Sequence, residues 1–263
     1  MDVLVYVDPS PRGEWALALA APLAAPPVRR VHLLATVEDA ANEPDLLARA
    51  RARLGEEVEV TTGTREGPAE RAVIAEVGAR PWDLVVVPPA GRGALARMLR
   101  GSRVATVVRS VEAPVLVARR PPPRVERVLA ALSGGRSTKP VAAAALRWEE
   151  RGARVDFVHV AAEVAVPGEE HRHDRPGGLV RVRAALQDRG RPDALLLREG
   201  PVVDEVLDAF EAGAYHLLVV GARGEDDTGF GREDVTERLL LRCPASTLVV
   251  PRAPIPPPGP GRA

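Results

Sequence analysis

Short apolar segments recur along the chain and alternate with longer segments of mixed polarity. In the first part of the chain they are residues 3–7, 31–35, 58–61, 84–87 and 115–118. They are rich in aliphatic residues, and several have almost no polar positions. Such continuous apolar runs are typical of parallel strands that helices cover on both faces.

Helix-like segments lie between these predicted strands, at residues 11–23, 46–54, 68–77 and 102–110. One of them begins with Pro68, a residue that suits the first position of a helix. Strands that alternate with helices in this order predict an α/β fold, a doubly wound sheet of five parallel strands.

The same order recurs in the second half. Strands are predicted at 128–132, 155–160, 195–197, 217–220 and 247–250, and helices at 138–150, 179–188, 201–212 and 235–241. Local matches are close: Glu66-Gly67-Pro68 parallels Glu199-Gly200-Pro201, and Trp82-Asp83-Leu84 parallels Tyr215-His216-Leu217. Self-similarity with so long a period indicates a duplicated domain.

Proline-rich and glycine-rich segments predict where each copy begins and ends. We expect domains at residues 1–119 and 127–252, a proline-rich linker at 120–126 and a disordered proline/glycine-rich tail at 253–263. We also expect the last strands of the two copies to pair within one chain. That intramolecular pseudo-dimer would cover two exposed sheet edges, and it leaves homodimerisation of the whole chain open.

Composition narrows the class of protein. The chain of 263 residues has 36 basic and 36 acidic residues, and only 3% are aromatic, which argues against a nucleic-acid binder. The single cysteine, Cys243, excludes an internal disulfide and a multi-cysteine metal site. No apolar run reaches the roughly 18 residues that a membrane span needs, and the N-terminus resembles a strand rather than a signal peptide. We therefore expect a soluble, cytoplasmic protein that does not bind membranes.

The candidate ligand-binding residues follow the carboxyl ends of the predicted strands. In open α/β sheets, ligands bind beyond the carboxyl ends of the strands, where the strand order reverses. Asp8-Pro9-Ser10 follows the first strand, Pro88-Pro89-Ala90-Gly91 follows the fourth, and Gly101-Ser102 begins the next helix. A Gly-Ser step at a helix start offers free N–H groups and a hydroxyl, as an anion site requires.

These segments resemble the universal stress protein family, whose pattern is G-x2-G-x9-G-[ST] after strand four, with an aspartate closing strand one. The first copy matches it from Gly91 through Gly101-Ser102, with Pro88 in place of the first glycine. The second copy has Gly221 and Gly224, but Glu233-Asp234 stands where Gly-Ser is expected, and Ser133 replaces the strand-one aspartate. The resemblance spans both copies and implies an adenine nucleotide alpha hydrolase-like fold.

In that family the motif marks members that bind ATP. The resemblance implies that Asp8, Pro9 and Thr36 lie near the adenine. It implies the ribose and phosphate positions for a second group: Pro88, Gly91, Arg92, Gly101, Ser102, Arg103 and Val104. It also implies a regulatory role in a stress response, with a protein partner that the sequence does not name. Mg²⁺ is a further candidate, because it can bridge carboxylate and phosphate oxygens.

The charges independently favour one functional site. The segment from Gly91 to Arg103 has no acidic residue and four arginines: Arg92, Arg97, Arg100 and Arg103. The equivalent segment of the second copy, 224–238, has six acidic residues against two arginines. Like charges a few ångströms apart cost on the order of a kcal/mol each near a surface. The first copy is therefore suited to phosphates, and the second should repel them.

Each of these features also has a structural explanation. Gly101-Ser102 could simply start a helix, Asp8 could form an Asx turn before Pro9, and the arginines could be a solvated face. In the second copy, Asp234 and Glu237 form a capping-box pattern.

Other candidate sites are weaker. The segment from Ser133 to Lys139 lacks the glycine that a P-loop needs before its lysine. Metal ligation by His171, His173 and Asp174, and a reactive thiol at Cys243, are lesser alternatives.

Three functions stay open at this stage. The first is an ATP-binding regulatory protein with its site in the first copy. The second is a nucleotide-independent scaffold with two vestigial sites. The third, an ATPase or nucleotidyl-transferring enzyme, ranks last because no base or second carboxylate aimed at the γ-phosphate is visible, so at most slow ATP hydrolysis is expected. Fold alone does not decide among them.

Overall fold

The computed structural model describes residues 1–23, 28–55, 58–89, 103–135, 137–161, 177–222 and 235–251. The strands of the first half are β1 (Asp2–Tyr6), β2 (Arg30–Thr36), β3 (Glu59–Arg65), β4 (Leu84–Val87) and β5 (Val115–Val117). Its helices are α1 (Gly13–Ala20), α2 (Val37–Asn42), α3 (Leu46–Ala52), α4 (Ala69–Ala79) and α5 (Arg103–Ser110).

The second half repeats this order. Its strands are β6 (Arg127–Ala131), β7 (Arg154–Ala161), β8 (Leu195–Glu199), β9 (Leu217–Gly221) and β10 (Ser246–Val250). Its helices are α6 (Thr138–Leu146), α7 (Gly177–Asp188), α8 (Val202–Ala212) and α9 (Val235–Arg242). The predicted doubly wound α/β architecture with two tandem copies is confirmed.

The described strands form one ten-stranded sheet in the order β3-β2-β1-β4-β5-β10-β9-β6-β7-β8. Within each half, neighbouring strands are parallel. The halves join where β5 and β10 pair antiparallel, with Leu116 opposite Leu248. The predicted pairing of the two last strands is therefore confirmed, and the sheet continues through the middle of the molecule.

Both faces of the sheet carry an apolar core, because side chains along a strand alternate between the two faces. Val3 and Val5 belong to the core under α1, α3 and α6. Leu4 and Tyr6 belong to the core under α4, α5, α8 and α9. The nearly continuous apolar strands seen in the sequence follow from this two-sided burial.

Arg119 forms a polar clamp between the two halves, at the point where the chain passes from one to the other. The guanidinium of Arg119 donates to the backbone oxygens of Leu240 (3.0 Å), Leu241 (3.4 Å) and Cys243 at the end of α9. Its backbone N–H donates to Ser246 Oγ at 3.0 Å. Arginine suits this position because the carbonyls of the last helical turn lack intrahelical partners and carry partial negative charge.

Several element boundaries differ from the sequence predictions for local reasons. Helix α1 begins at Gly13 rather than at residue 11, because the preceding residues form a turn. Strand β3 runs to Arg65 rather than stopping at 61, with Thr62, Gly63 and Thr64 pairing to β2. Helix α2 was not predicted, because it buries no side chain and so shows no apolar pattern.

Candidate functional site

The crevice between β1 and β4 lies at the reversal of strand order in the first half, since β1 leads to β2 on one side and pairs with β4 on the other. Asp8 follows β1, Thr36 ends β2, and Pro88 follows β4. Carboxyl ends of parallel strands meet at one edge of the sheet, and ligands of such folds bind there. The topology thus brings three of the predicted site positions to one edge.

Asp8 is held in a tight turn. Its Oδ1 accepts hydrogen bonds from the Ser10 N–H (2.9 Å) and from the Ser10 hydroxyl. The Asx turn considered in the sequence analysis is therefore confirmed. Gly13 packs so close that a Cβ there would lie 2.2 Å from the Asp8 backbone oxygen and 2.8 Å from Oδ1. Any side chain at Gly13 would force this turn open, and the glycine is therefore required by the position of Asp8.

Burial raises the pKa of the Asp8 carboxyl above its ordinary value of 3.8. The hydrogen bonds from Ser10 oppose this shift, and the charge of Asp39 adds to it. The neighbourhood of Asp8 is acidic, which suits hydrogen-bond donors such as an amino group and disfavours phosphate.

Thr36 is the N-cap residue of helix α2. Its hydroxyl accepts from the Asp39 N–H at 3.0 Å, which caps helix α2, and it donates to Asp39 Oδ2 at 2.6 Å. The Tyr6 hydroxyl donates to the same Oδ2 at 2.8 Å. Burial first, and the Asp39 carboxylate second, raise the pKa of Tyr6, so this phenol stays protonated. Thr36 therefore fixes Asp39, and its hydroxyl proton is already donated to that carboxylate.

Asp39 is the site residue that sequence reasoning missed. It lies in the unpredicted helix α2, next to Tyr6 and close enough to Asp8 to influence its pKa. One signal could have found it: Thr36 followed three residues later by an acidic residue is a helix N-cap pattern.

Pro88 and Val104 lie on the other side of the crevice. Pro88 is buried, and together with Tyr6, Val73 and Val104 it lines a small, mostly apolar cavity beneath α4 and α5. Proline has no N–H to offer a ligand. Pro9 is exposed beside Asp8. The remaining predicted positions, Gly91, Arg92, Gly101 and Ser102, and the side chain of Arg103, lie outside the described residues.

The second half differs at the corresponding edge. Ser133, in the place of Asp8, shares a 2.8 Å hydrogen bond with Ser137. A Cβ on Gly221 would lie 2.7 Å from the Ser137 Cβ, and one on Gly178 would lie 3.3 Å from the Gly134 oxygen. Among the residues that the structure describes at this edge, Ser133 stands in the place of Asp8 and is closely packed, so the buried carboxylate of the first half is not repeated at that position.

The other candidates from the sequence are weaker in the structure. Cys243 is fully buried, and burial raises the pKa of its thiol, which favours the core-residue interpretation over a reactive thiol. His171, His173, Asp174 and Asp234 lie outside the described residues. Within the described ranges, no group of three or more histidine, cysteine or acidic residues is placed to hold a metal ion.

The lengths and polarities of the helices decide whether one of them could span a bilayer. Along the part of the chain that the structure describes, none is both long enough and apolar enough to span a bilayer.

A stability prediction follows from the raised pKa of Asp8. Burial makes the charged carboxylate less stable in the folded protein than in the unfolded chain. The free energy of unfolding therefore falls as the pH rises from 3.8 toward the raised pKa of the folded state. Asp8→Asn keeps an acceptor for Ser10 and removes this cost. Its Tm should exceed that of the wild type near neutral pH and match it below the ordinary pKa. The account would be contradicted if the Tm of Asp8→Asn were below that of the wild type at neutral pH while the two values matched below pH 3.8.

Comparison with known proteins agrees with this architecture. The model of the universal stress protein family matches residues 1–119 and 124–251. A universal stress protein from Archaeoglobus fulgidus DSM 4304 is 16% identical, with 95% of this chain and 96% of that chain covered and a TM-score of 0.70. A second one, from Pseudomonas aeruginosa UCBPP-PA14, is 19% identical, with 95% and 93% covered and a TM-score of 0.72.

The fold is shared more widely. The cytoplasmic domain of a prokaryotic cation chloride cotransporter is 12% identical, with 94% of both chains covered and a TM-score of 0.54. At such identities, the likeness to solved structures concerns the fold alone. No curated protein matches the chain. Because the family model matches both halves and together these make up most of the sequence, the chain belongs to the universal stress protein family and carries two copies of its fold.

Proposed function

We propose that the chain is an ATP-binding regulatory protein whose nucleotide site lies at the crevice between β1 and β4 of the first half. The observation that carries the proposal is Asp8, held half-buried at the end of β1 where the strand order reverses. Ser10 occupies Oδ1 of this carboxylate. Oδ2 would accept a hydrogen bond from the adenine amino group.

The distribution of charge supports one orientation of the nucleotide. Asp8 and Asp39 make the β1–β2 side acidic, which would suit the uncharged adenine and its amino group. Four arginines and no acidic residue occupy the sequence from Gly91 to Arg103, which follows β4 and ends at the first residue of α5. Phosphates would therefore lie toward α5, where Gly101 and Ser102, which precede the helix in the sequence, would supply backbone N–H groups and a hydroxyl. Mg²⁺ would accompany the phosphates.

A calorimetric titration of the full chain with ATP tests this proposal. We expect Asp8→Ala to weaken ATP binding about tenfold or more, since a hydrogen bond to a charged group contributes about 1.5–3 kcal/mol. Ser133→Ala is the matched control, because it changes the equivalent position of the second half, and its affinity should equal that of the wild type. Equal losses in both variants, or no binding by the wild type at millimolar ATP, would refute the site.

The buried Pro88 is the observation that favours the alternative function, a nucleotide-independent scaffold. Its ring lines the small cavity beside the crevice, and proline lacks the N–H that the glycine of the family motif has at this position. Absence of ATP binding to the wild type would favour the scaffold. ADP appearing over hours in a chain that binds ATP would favour the slow ATPase instead.

A further inference from the structure

Strand β3 forms one lateral edge of the ten-stranded sheet, and no described strand pairs with its outer side. It pairs with β2 without interruption over seven residues, from Glu59 to Arg65. Edge strands are usually protected by proline, lysine or a bulge, because an open edge can pair with another chain. This strand contains no proline and no lysine, and its regular register shows no bulge. The edge is therefore long, regular and unprotected.

The backbone of β3 directs its polar groups outward at every second residue. The Glu59 N–H donates to the oxygen of Arg29, directly before β2, at 3.2 Å, so Glu59 turns its backbone groups toward β2. Along a strand the direction of these groups alternates from one residue to the next. Val60, Thr62 and Thr64 therefore direct their N–H and C=O groups away from the sheet. The side chains of Thr62 and Thr64 are also exposed, so no described helix covers them.

A second copy of the chain fits this edge in a symmetric arrangement. A two-fold axis perpendicular to the sheet makes the two β3 strands antiparallel and can place Thr62 opposite Thr62 of the second copy. Val60 of each copy then lies opposite Thr64 of the other. All three residues point outward, so they form three hydrogen-bonded pairs of two backbone bonds each. Their β-branched side chains suit such cross-strand positions.

The charges at the two ends of β3 favour this register over its neighbours. Glu59 and Arg65 lie three residues before and after Thr62, so each Glu59 faces Arg65 of the other copy. Side chains at such non-hydrogen-bonded positions come close together. A shift by two residues keeps the outward groups paired, but it places Glu59 opposite Gly63 or Arg65 opposite Thr61. Those registers shorten the paired strand and leave the charges without a counterpart.

Both charges also have partners within their own chain. Glu59 lies 3.4 Å from Arg30, and Arg65 lies 2.8 Å from Glu76. The side chains of Glu59 and Arg65 are 59% and 45% exposed, and ion pairs between such exposed groups contribute little free energy. The charges between copies therefore select the register, and the outward backbone groups of β3 supply the attraction.

The other lateral edge, β8, is less suited to the same pairing. It has five residues rather than seven, because a short helical turn at Pro192–Ala194 precedes it. A two-fold pairing about its central residue, Leu197, would place Leu195 opposite Glu199. An apolar side chain would then face a charged one, so β8 provides a matched control for β3.

We propose that two copies of the chain associate through the outer backbone of β3, antiparallel and centred on Thr62. The arrangement repeats between chains what β5 and β10 do within one chain, where two end strands pair antiparallel and continue the sheet. One strand from each copy makes a small interface, so we expect a weak dimer with a dissociation constant on the order of 100 µM. Strand β2 separates this surface from the crevice between β1 and β4, and the dimer does not depend on the proposed nucleotide site.

Sedimentation of the full chain without ATP, at concentrations on either side of about 100 µM, tests the proposal. Thr62→Lys puts two like charges opposite each other at the two-fold axis, and Thr62→Glu does the same with the other sign. Each variant alone should dimerise at least about fivefold more weakly than the wild type. An equimolar mixture of the two should associate as tightly as the wild type, because opposite charges then face each other.

The matched controls place the same charges on the other edge strand. Leu197→Lys and Leu197→Glu change a residue of β8 that is 63% exposed. Their dissociation constants should stay within about twofold of the wild type, since no contact at β8 is formed.

Cysteine cross-linking locates the contact by a second measurement. The Cα atoms of a hydrogen-bonded antiparallel pair lie about 5.5 Å apart, which is within the range for a disulfide. Under mild oxidation, Thr62→Cys should form a covalent dimer on electrophoresis without reductant, and Leu197→Cys should do so at least about tenfold more slowly. The native Cys243 is fully buried, so it does not compete.

Four results would overturn the proposal. The first is a wild type that stays monomeric at the highest concentration. The second is a dimer whose affinity neither Thr62 substitution changes, which would place the contact on another surface. The third is failure of the mixed variants to associate, which would show that the two Thr62 residues do not face each other. The fourth is equally fast cross-linking through Thr62→Cys and Leu197→Cys, which would indicate random collision.

Discussion

Replacing Leu116 by alanine should lower the free energy of unfolding by about 3–4 kcal/mol, near the middle of the range for leucine-to-alanine changes in protein cores. Leu116 is fully buried at the centre of the ten-stranded sheet, opposite Leu248 of β10. Both side chains belong to the same apolar core. The substitution therefore leaves a cavity where the pairing of β5 with β10 joins the two halves of the sheet.

Denaturant unfolding, followed by far-ultraviolet circular dichroism, measures this loss. Leu197→Ala is the control, because Leu197 is 63% exposed and its truncation should change stability by less than about 0.5 kcal/mol. A loss below about 1 kcal/mol for Leu116→Ala would mean that the two halves are not held together through the β5–β10 pairing.

The antiparallel pairing of β5 with β10 could be predicted from the sequence, because an apolar strand at the edge of a sheet needs a partner strand. Residues 115–118 and 247–250 are as apolar as the central strands of each copy, yet each would be an edge strand in an isolated copy. A proline-rich connection between the copies then makes pairing within one chain the simplest solution. The clamp by Arg119 was not predictable, since its acceptors are backbone carbonyls that carry no sequence signal.

The candidate site was predictable only in part. Asp8 and Pro88 were found because strand ends and the family motif both point to them. Asp39 was missed because α2 buries no side chain and its only signal is the short pattern that begins at Thr36. The capping role of Thr36 was also missed, since its hydroxyl is directed by Asp39, which the sequence reasoning did not place beside it.

The double substitution Gly101→Glu, Ser102→Asp should weaken ATP binding by at least about 30–150-fold, which corresponds to about 2–3 kcal/mol. It copies Glu233-Asp234 of the second half into the first. Two carboxylates would then face the phosphates, and the Ser102 hydroxyl and the close backbone approach that Gly101 permits would be lost, so a charge-assisted hydrogen bond would be exchanged for repulsion. The measurement is an ATP titration of the full chain by calorimetry.

The matched control puts the same two charges at exposed positions of the second half, Val180→Glu and Leu197→Asp. It should leave ATP affinity unchanged, which separates a local effect from one of net charge. Each titration is run with and without Mg²⁺, because the ion can bridge the introduced carboxylates and the phosphates and so soften the repulsion. The loss should be larger without the metal. Wild-type affinity in the double variant without metal would show that the phosphates do not lie at the start of α5, and the proposed orientation of the nucleotide would then fall.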